Sequence, residues 1–93
     1  MNTKEKIEKI LLNAFRPQRI HIDDESALHA GHAQAIQSGG GHFSLTIVSE
    51  MFNNKRLIER HRMIYDCLKK EMKGGIHALK VKAYTPQEFA SSP

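Results

Sequence analysis

The amino-acid sequence predicts an α+β domain in two layers, a three-stranded mixed sheet with helices on one face. Three observations carry this expectation. Apolar and polar residues alternate in three short, β-branched stretches, residues 19–23, 42–49 and 76–84, which is the period of a half-buried strand. Around them, apolar residues recur every three or four positions, the period of an amphipathic helix. Finally, 93 residues are one core's worth of chain, so the order αββααβα closes as a single domain over residues 1–93. Helices on a single face leave the other to solvent or a partner.

The first helix is expected over residues 2–15. Ile7, Ile10, Leu11 and Ala14 line one side, Asn2 and Glu5 form a capping box, and Arg16-Pro17 ends the helix because the residue before proline avoids the helical region. In residues 19–23, Ile20 and Ile22 point one way and His21 and Asp23 the other. In residues 42–49, Phe43, Leu45 and Ile47 share a face opposite Ser44 and Thr46. Ser49 caps a short turn to Phe52, and Asn53-Asn54 allows the left-handed step that ends it. From Lys55, Leu57, His61, Ile64, Leu68 and Met72 repeat at helical spacing up to Gly74-Gly75. The third strand, 76–84, places His77, Leu79, Val81 and Ala83 on one face and Lys80, Lys82 and Tyr84 on the other. Thr85, Pro86 and Glu88 start a closing helix through Ala90, and residues 91–93 read as a tail.

Composition narrows the function. The net charge of +4 permits an anionic partner and says nothing of fold. No apolar run approaches the roughly 20 residues that span a bilayer, and the N-terminal stretch reads as a mature amphipathic helix rather than a signal peptide. The single cysteine, Cys67, excludes an internal disulfide framework, so the expected location is the cytoplasm. At helical spacing beside Leu68, it reads as a small buried, structural thiol. No nucleophile–base pair, phosphate loop or carboxylate pair is present, so the chain is not expected to be an enzyme.

Residues 24–42 form a loop far longer than a hairpin turn, and it holds His29, His32, His42 and the run Gly39-Gly40-Gly41. Loops of this length are functional or disordered; disorder is expected between residues 30 and 41. The ordinary state of a lone loop histidine is solvation, and the alternative is ligation through a free ring nitrogen. His77 begins a strand after two glycines, where a partner can reach it. His61 lies in the apolar helical stripe and reads as structural, His42 as structural or loop-orienting, and His21 as exposed. Zinc sites of the structural kind want four ligands at short paired spacings, and no such spacing occurs.

DDES before the loop, HFSLTIVS after it, RHRMIYDCL in the long helix and GIHALKVKAYTPQEF near the end resemble the BolA family, along most of the chain. The resemblance implies a fold like the class II KH domain, in agreement with the element order. It further implies a partnership with a monothiol glutaredoxin and glutathione, with a [2Fe–2S] cluster held only in the complex and a monomer or weak homodimer when alone. By position, the family's C-terminal ligand histidine corresponds to His77, in Gly75-Ile76-His77-Ala78-Leu79, and its loop ligand to His29, in Glu25-Ser26-Ala27-Leu28-His29, with His32 as an alternative. Two departures stand out: the extra His32 with the glycine run, and Asn54 where the family commonly has glycine. A [2Fe–2S] centre needs four ligands, so two histidines leave the thiolates to the partner. Two imidazoles would also make the cluster more oxidising than an all-thiolate one.

The resemblance implies a second activity, DNA binding with transcriptional control of morphology and stress response. Its residues would be Lys55, Arg56, Arg60 and Arg62, on a helix that follows a tight turn. Against it, the turn lacks the GXXG loop with which KH domains clamp nucleic acid, and Glu59, Asp66 and Glu71 interrupt the basic run.

Overall fold

The computed structural model describes residues 1–26 and 41–91. Helix α1 (Thr3–Phe15) starts where the Asn2 side chain accepts the Glu5 N–H and the Glu5 carboxylate accepts the Asn2 N–H, a complete capping box. It ends at Arg16, whose φ of 43° is left-handed; Pro17 excludes the helical conformation there. Strand β1 (Arg19–Asp24) and strand β2 (Gly41–Val48) pair antiparallel, with Ile22 opposite Leu45. A single 3₁₀ turn (Glu50–Phe52) follows, capped by the Ser49 hydroxyl. Asn54, at φ 64°, takes the left-handed step that redirects the chain. Helices α2 (Leu57–Cys67) and α3 (Lys69–Met72) carry the chain back to strand β3 (Ile76–Tyr84), which joins β2 in parallel. Helix α4 (Pro86–Ala90) closes the domain behind a second capping box, Thr85 with Glu88.

The sheet order is β1-β2-β3, mixed as expected. Alternation sends Ile22, Phe43, Leu45, Ile47 and Ala83 into one core with Ile7, Leu11 and Phe15 of α1, Phe52, Ile64 and Leu68. Burying each large apolar side chain of this kind contributes about 1.5–3 kcal/mol relative to exposure. His21, Asp23, Lys80 and Lys82 are exposed on the strands that supply this core. Buried Ser49 ties α1 to the sheet: its hydroxyl donates to the Phe15 carbonyl at 2.8 Å and accepts from the Met51 N–H at 3.1 Å.

Four details differ from the sequence pattern. The helix expected from residue 55 to the glycine pair is two helices. At Leu68 (φ −101°, ψ 14°) the N–H is shared between the Ile64 and Tyr65 carbonyls, a tightened turn that keeps the fully buried Leu68 side chain in the core. Leu57, at the opening turn of α2, is 63% exposed rather than part of the core stripe. Cys67 is exposed at the last position of α2, not buried. The loop is shorter than residues 24–42, because Asp24 still pairs with Phe43 and Gly41 already pairs with Ile76.

Candidate metal-ligand site

His42 and His77 lie at one end of the sheet, where β1 ends and β2 and β3 begin. The Glu25 N–H donates to the His42 carbonyl at 2.7 Å, the His42 N–H to the Ser26 hydroxyl at 3.1 Å, and the Gly41 N–H to the Gly75 carbonyl at 3.0 Å. Ser26 also fixes the end of β1: its N–H donates to Asp24 Oδ1 at 2.9 Å. Its hydroxyl and its N–H hold the Asp24 carboxyl below the ordinary range, with a smaller contribution from Lys4. The segment between Ser26 and Gly41 thus leaves and re-enters the fold at this end. Gly41 is confined: a Cβ there would lie 2.6 Å from the Phe43 ring and 3.0 Å from the Ser26 hydroxyl.

His77 reaches this end by a break in the ladder. Gly41 faces Ile76 and His42 faces Ala78, so His77 has no opposite number on β2. One extra residue in a strand re-aims its side chain. Here the bulge reverses the parity at the start of β3: Ile76 is buried and His77 exposed, whereas unbroken alternation would put His77 inward with Leu79 and Ala83. The expectation that His77 shares their face is corrected by that one-residue slip. Its ring stands against that of His42, centroid to centroid 5.1 Å, at an angle of 43°. Lys80 meets Glu25 alongside, at 3.7 Å.

His29 and His32 lie outside the described residues, as does the disorder expected between residues 30 and 41, apart from Gly41, which opens β2. Among the described residues, no group of three or more His, Cys, Asp and Glu side chains forms a metal-binding cluster, so Cys67 does not join His42 and His77. The Cys67 thiol is pushed up in pKa by partial desolvation and by Asp66, which disfavours the ligating thiolate. His61 is half-buried beside Leu57, Val81 and Tyr84, in a shallow hollow of about 260 Å³ between α2 and β3. His21 is exposed, 2.9 Å from Asp23.

The basic residues of α2 do not act as one surface. Arg60 is 5% exposed. Its guanidinium donates to the Lys55 carbonyl (2.9 Å), the Ala83 carbonyl (3.0 Å) and both Glu88 carboxylate oxygens (2.7 and 3.1 Å). It is therefore removed from the expected phosphate-binding set, because it is buried and four of its five N–H donors are used inside the fold. Arg56 is exposed and pairs with Glu59 at 3.1 Å. Lys55 and Arg62 are exposed.

A family model described as "BolA-like protein" matches residues 11–88. The chain belongs to the BolA family. Over 92 residues this BolA-family chain is 46% identical to SufE-like protein 1, chloroplastic/mitochondrial, of Arabidopsis thaliana; the match covers 95% of the chain but 24% of that longer protein. It is 37% identical over 90 residues to the DNA-binding transcriptional regulator BolA of Escherichia coli, covering 96% of the chain and 81% of the relative. The solved BolA domain of SufE1 from Arabidopsis thaliana superposes with a TM-score of 0.79 at 40% identity, covering 95% of this chain and 98% of that one. A BolA domain thus occurs both within larger proteins and as most of a small one. Among the described residues, no helix is long and apolar enough to cross a membrane.

Sequence reasoning assigned His42 of this BolA-family chain no chemical role, because its neighbour His77 is remote in sequence. The signal available was the pair of strand starts, Gly41-His42 and Ile76-His77, which a parallel register brings together.

Proposed function

We propose that the protein is a non-catalytic BolA-type adaptor that completes a [2Fe–2S] site with a monothiol glutaredoxin and glutathione, for iron–sulfur trafficking or iron-linked regulation. The observation that carries this reading is the bulge that turns His77 out of the core at an accessible sheet end. Imidazole is a competent iron ligand, and exposure lets a second protein approach it. The second ligand of this reading is His29, three residues after Ser26 in the sequence. His32 is the alternative second ligand. The donor set suits a shared site: the chain offers imidazoles, and the thiolates would come from glutaredoxin and glutathione. When bound, the cluster supplies electron-transfer and delivery chemistry; His77 and His29 hold it on this side.

The test is reconstitution with a monothiol glutaredoxin and glutathione, followed by visible circular dichroism. The wild-type complex should give a spectrum distinct from that of the glutaredoxin homodimer, and His77→Ala should abolish the difference. Identical spectra for wild type and His77→Ala would remove His77 from the site.

A second reading, DNA binding, is supported by the name of the Escherichia coli relative. On this fold it falls to Lys55, Arg56 and Arg62, without Arg60. It requires that replacing these three by alanine weaken binding to a duplex and reduce the salt dependence, by roughly one unit of log–log slope for each phosphate no longer neutralised. Unchanged affinity and slope would leave the helix a solvated face.

A further inference from the structure

The His42–His77 pair is not explained by the adaptor reading, which calls on His77 and a loop histidine. We propose that His42 and His77 together form a two-imidazole site for a single divalent d-block cation, with Zn²⁺ as its representative. The spacing is the first ground. An ion bound tetrahedrally to two ring nitrogens at about 2.0–2.1 Å, each ring centre about 1.1 Å further out, sets the centroids about 5 Å apart. The observed separation is 5.1 Å. Imidazole nitrogen is a preferred donor for Zn²⁺, Cu²⁺ and Ni²⁺.

Rigidity is the second ground. His42 lies in the central strand, its backbone held by Ser26 and Glu25. His77 is fixed by the bulge, between buried Ile76 and the paired Ala78. Both side chains therefore come from ordered strands, which places ligands more reproducibly than loops do. Of the carboxylates at the end of β1, that of Glu25 meets the Lys80 ammonium, and that of Asp24 is held below its ordinary pKa by Ser26. No third described residue completes a cluster, so the described residues leave two positions on the ion open. An open site of this kind binds exchangeably rather than structurally. The plain alternative is that the rings merely stack, as aromatic pairs do at 4.5–7 Å.

This site stands without the cluster reading, and its test uses no glutaredoxin. The full chain, labelled with ¹⁵N-histidine, is titrated with Zn²⁺ alone and followed by imidazole-ring ¹⁵N NMR and by calorimetry. Saturation at one ion per chain, with the ring nitrogens of both His42 and His77 moving to metal-bound positions, is the expected result. His42→Gln and His77→Gln should each weaken binding by at least about tenfold, while His29→Gln and His32→Gln change it by less than about twofold. The wild-type ring signals decide the matter even if a variant misfolds. His42 nitrogens that do not move at saturating Zn²⁺, or binding lost only with His29 or His32, would overturn the proposal.

Discussion

At the scale of the residue, the site depends on two small side chains and one irregular pairing. Gly41 sits where any Cβ would enter the space of Phe43, a buried residue with no room to yield, and would press on the Ser26 hydroxyl that holds His42. Gly41→Ala should therefore destabilise the fold by about 1–3 kcal/mol, as overpacking does, measured by urea unfolding. A loss below about 0.5 kcal/mol would mean that the strand start shifts freely, and with it the histidine pair. His77 itself was legible in the sequence as an accessible residue at a strand start, but its facing was not. Alternation read from Leu79 and Val81 points it inward, and only the pairing of Gly41 with Ile76 and His42 with Ala78 shows the extra residue that turns it out. A bulge in a parallel pair depends on a strand remote in sequence, so local periodicity carries no trace of it.

At the scale of the element, the caps were legible and the buried cation was not. Asn2 with Glu5 and Thr85 with Glu88 are local hydrogen-bonding patterns, and the structure builds both. Arg60, by contrast, reads as one more basic residue on a charged helix. Its burial follows from Glu88, supplied by α4 after the whole of β3 has intervened. Glu88 serves twice, capping Thr85 and clamping Arg60. The Arg60 hydrogen bonds, then that from the Thr85 N–H, lower its pKa from 4.5 to about 2. The folded-state pKa lies below the unfolded one, so the ionised carboxylate stabilises the fold. That contribution is complete above about pH 4.5 and is lost as pH falls through about 2. Glu88 is half-exposed, so solvent screening makes the effect modest. Glu88→Gln should flatten the acid limb of Tm between pH 5 and pH 2 while lowering Tm at neutral pH, by differential scanning calorimetry. Parallel Tm curves for the two proteins would show that the pair contributes nothing to acid stability. The split of the long helix at Leu68 was equally hidden, since Ile64, Leu68 and Met72 keep helical spacing across the break.

At the scale of the whole molecule, the three strands and the αββααβα order were legible because each element carries its own period. The core they enclose matches expectation apart from the exposed Leu57 and Cys67 and the start of β3, where Ile76 rather than His77 turns inward. The fold leaves His77 accessible at a sheet end to which Ser26 and Gly41 also tether the loop, and it withdraws Arg60 from the surface. A shared metal site is favoured over a phosphate-binding helix on both counts. The central claim is that this chain's own imidazoles ligate a cluster whose thiolates belong to a partner. Its most direct test is electron spin-echo spectroscopy of the reduced cluster in the glutaredoxin–glutathione complex, with ¹⁵N-histidine in this chain alone. Strong ¹⁵N hyperfine couplings that fall by one nitrogen in His77→Ala are the expected result. No ¹⁵N coupling from this chain, or coupling undiminished in His77→Ala, would contradict it.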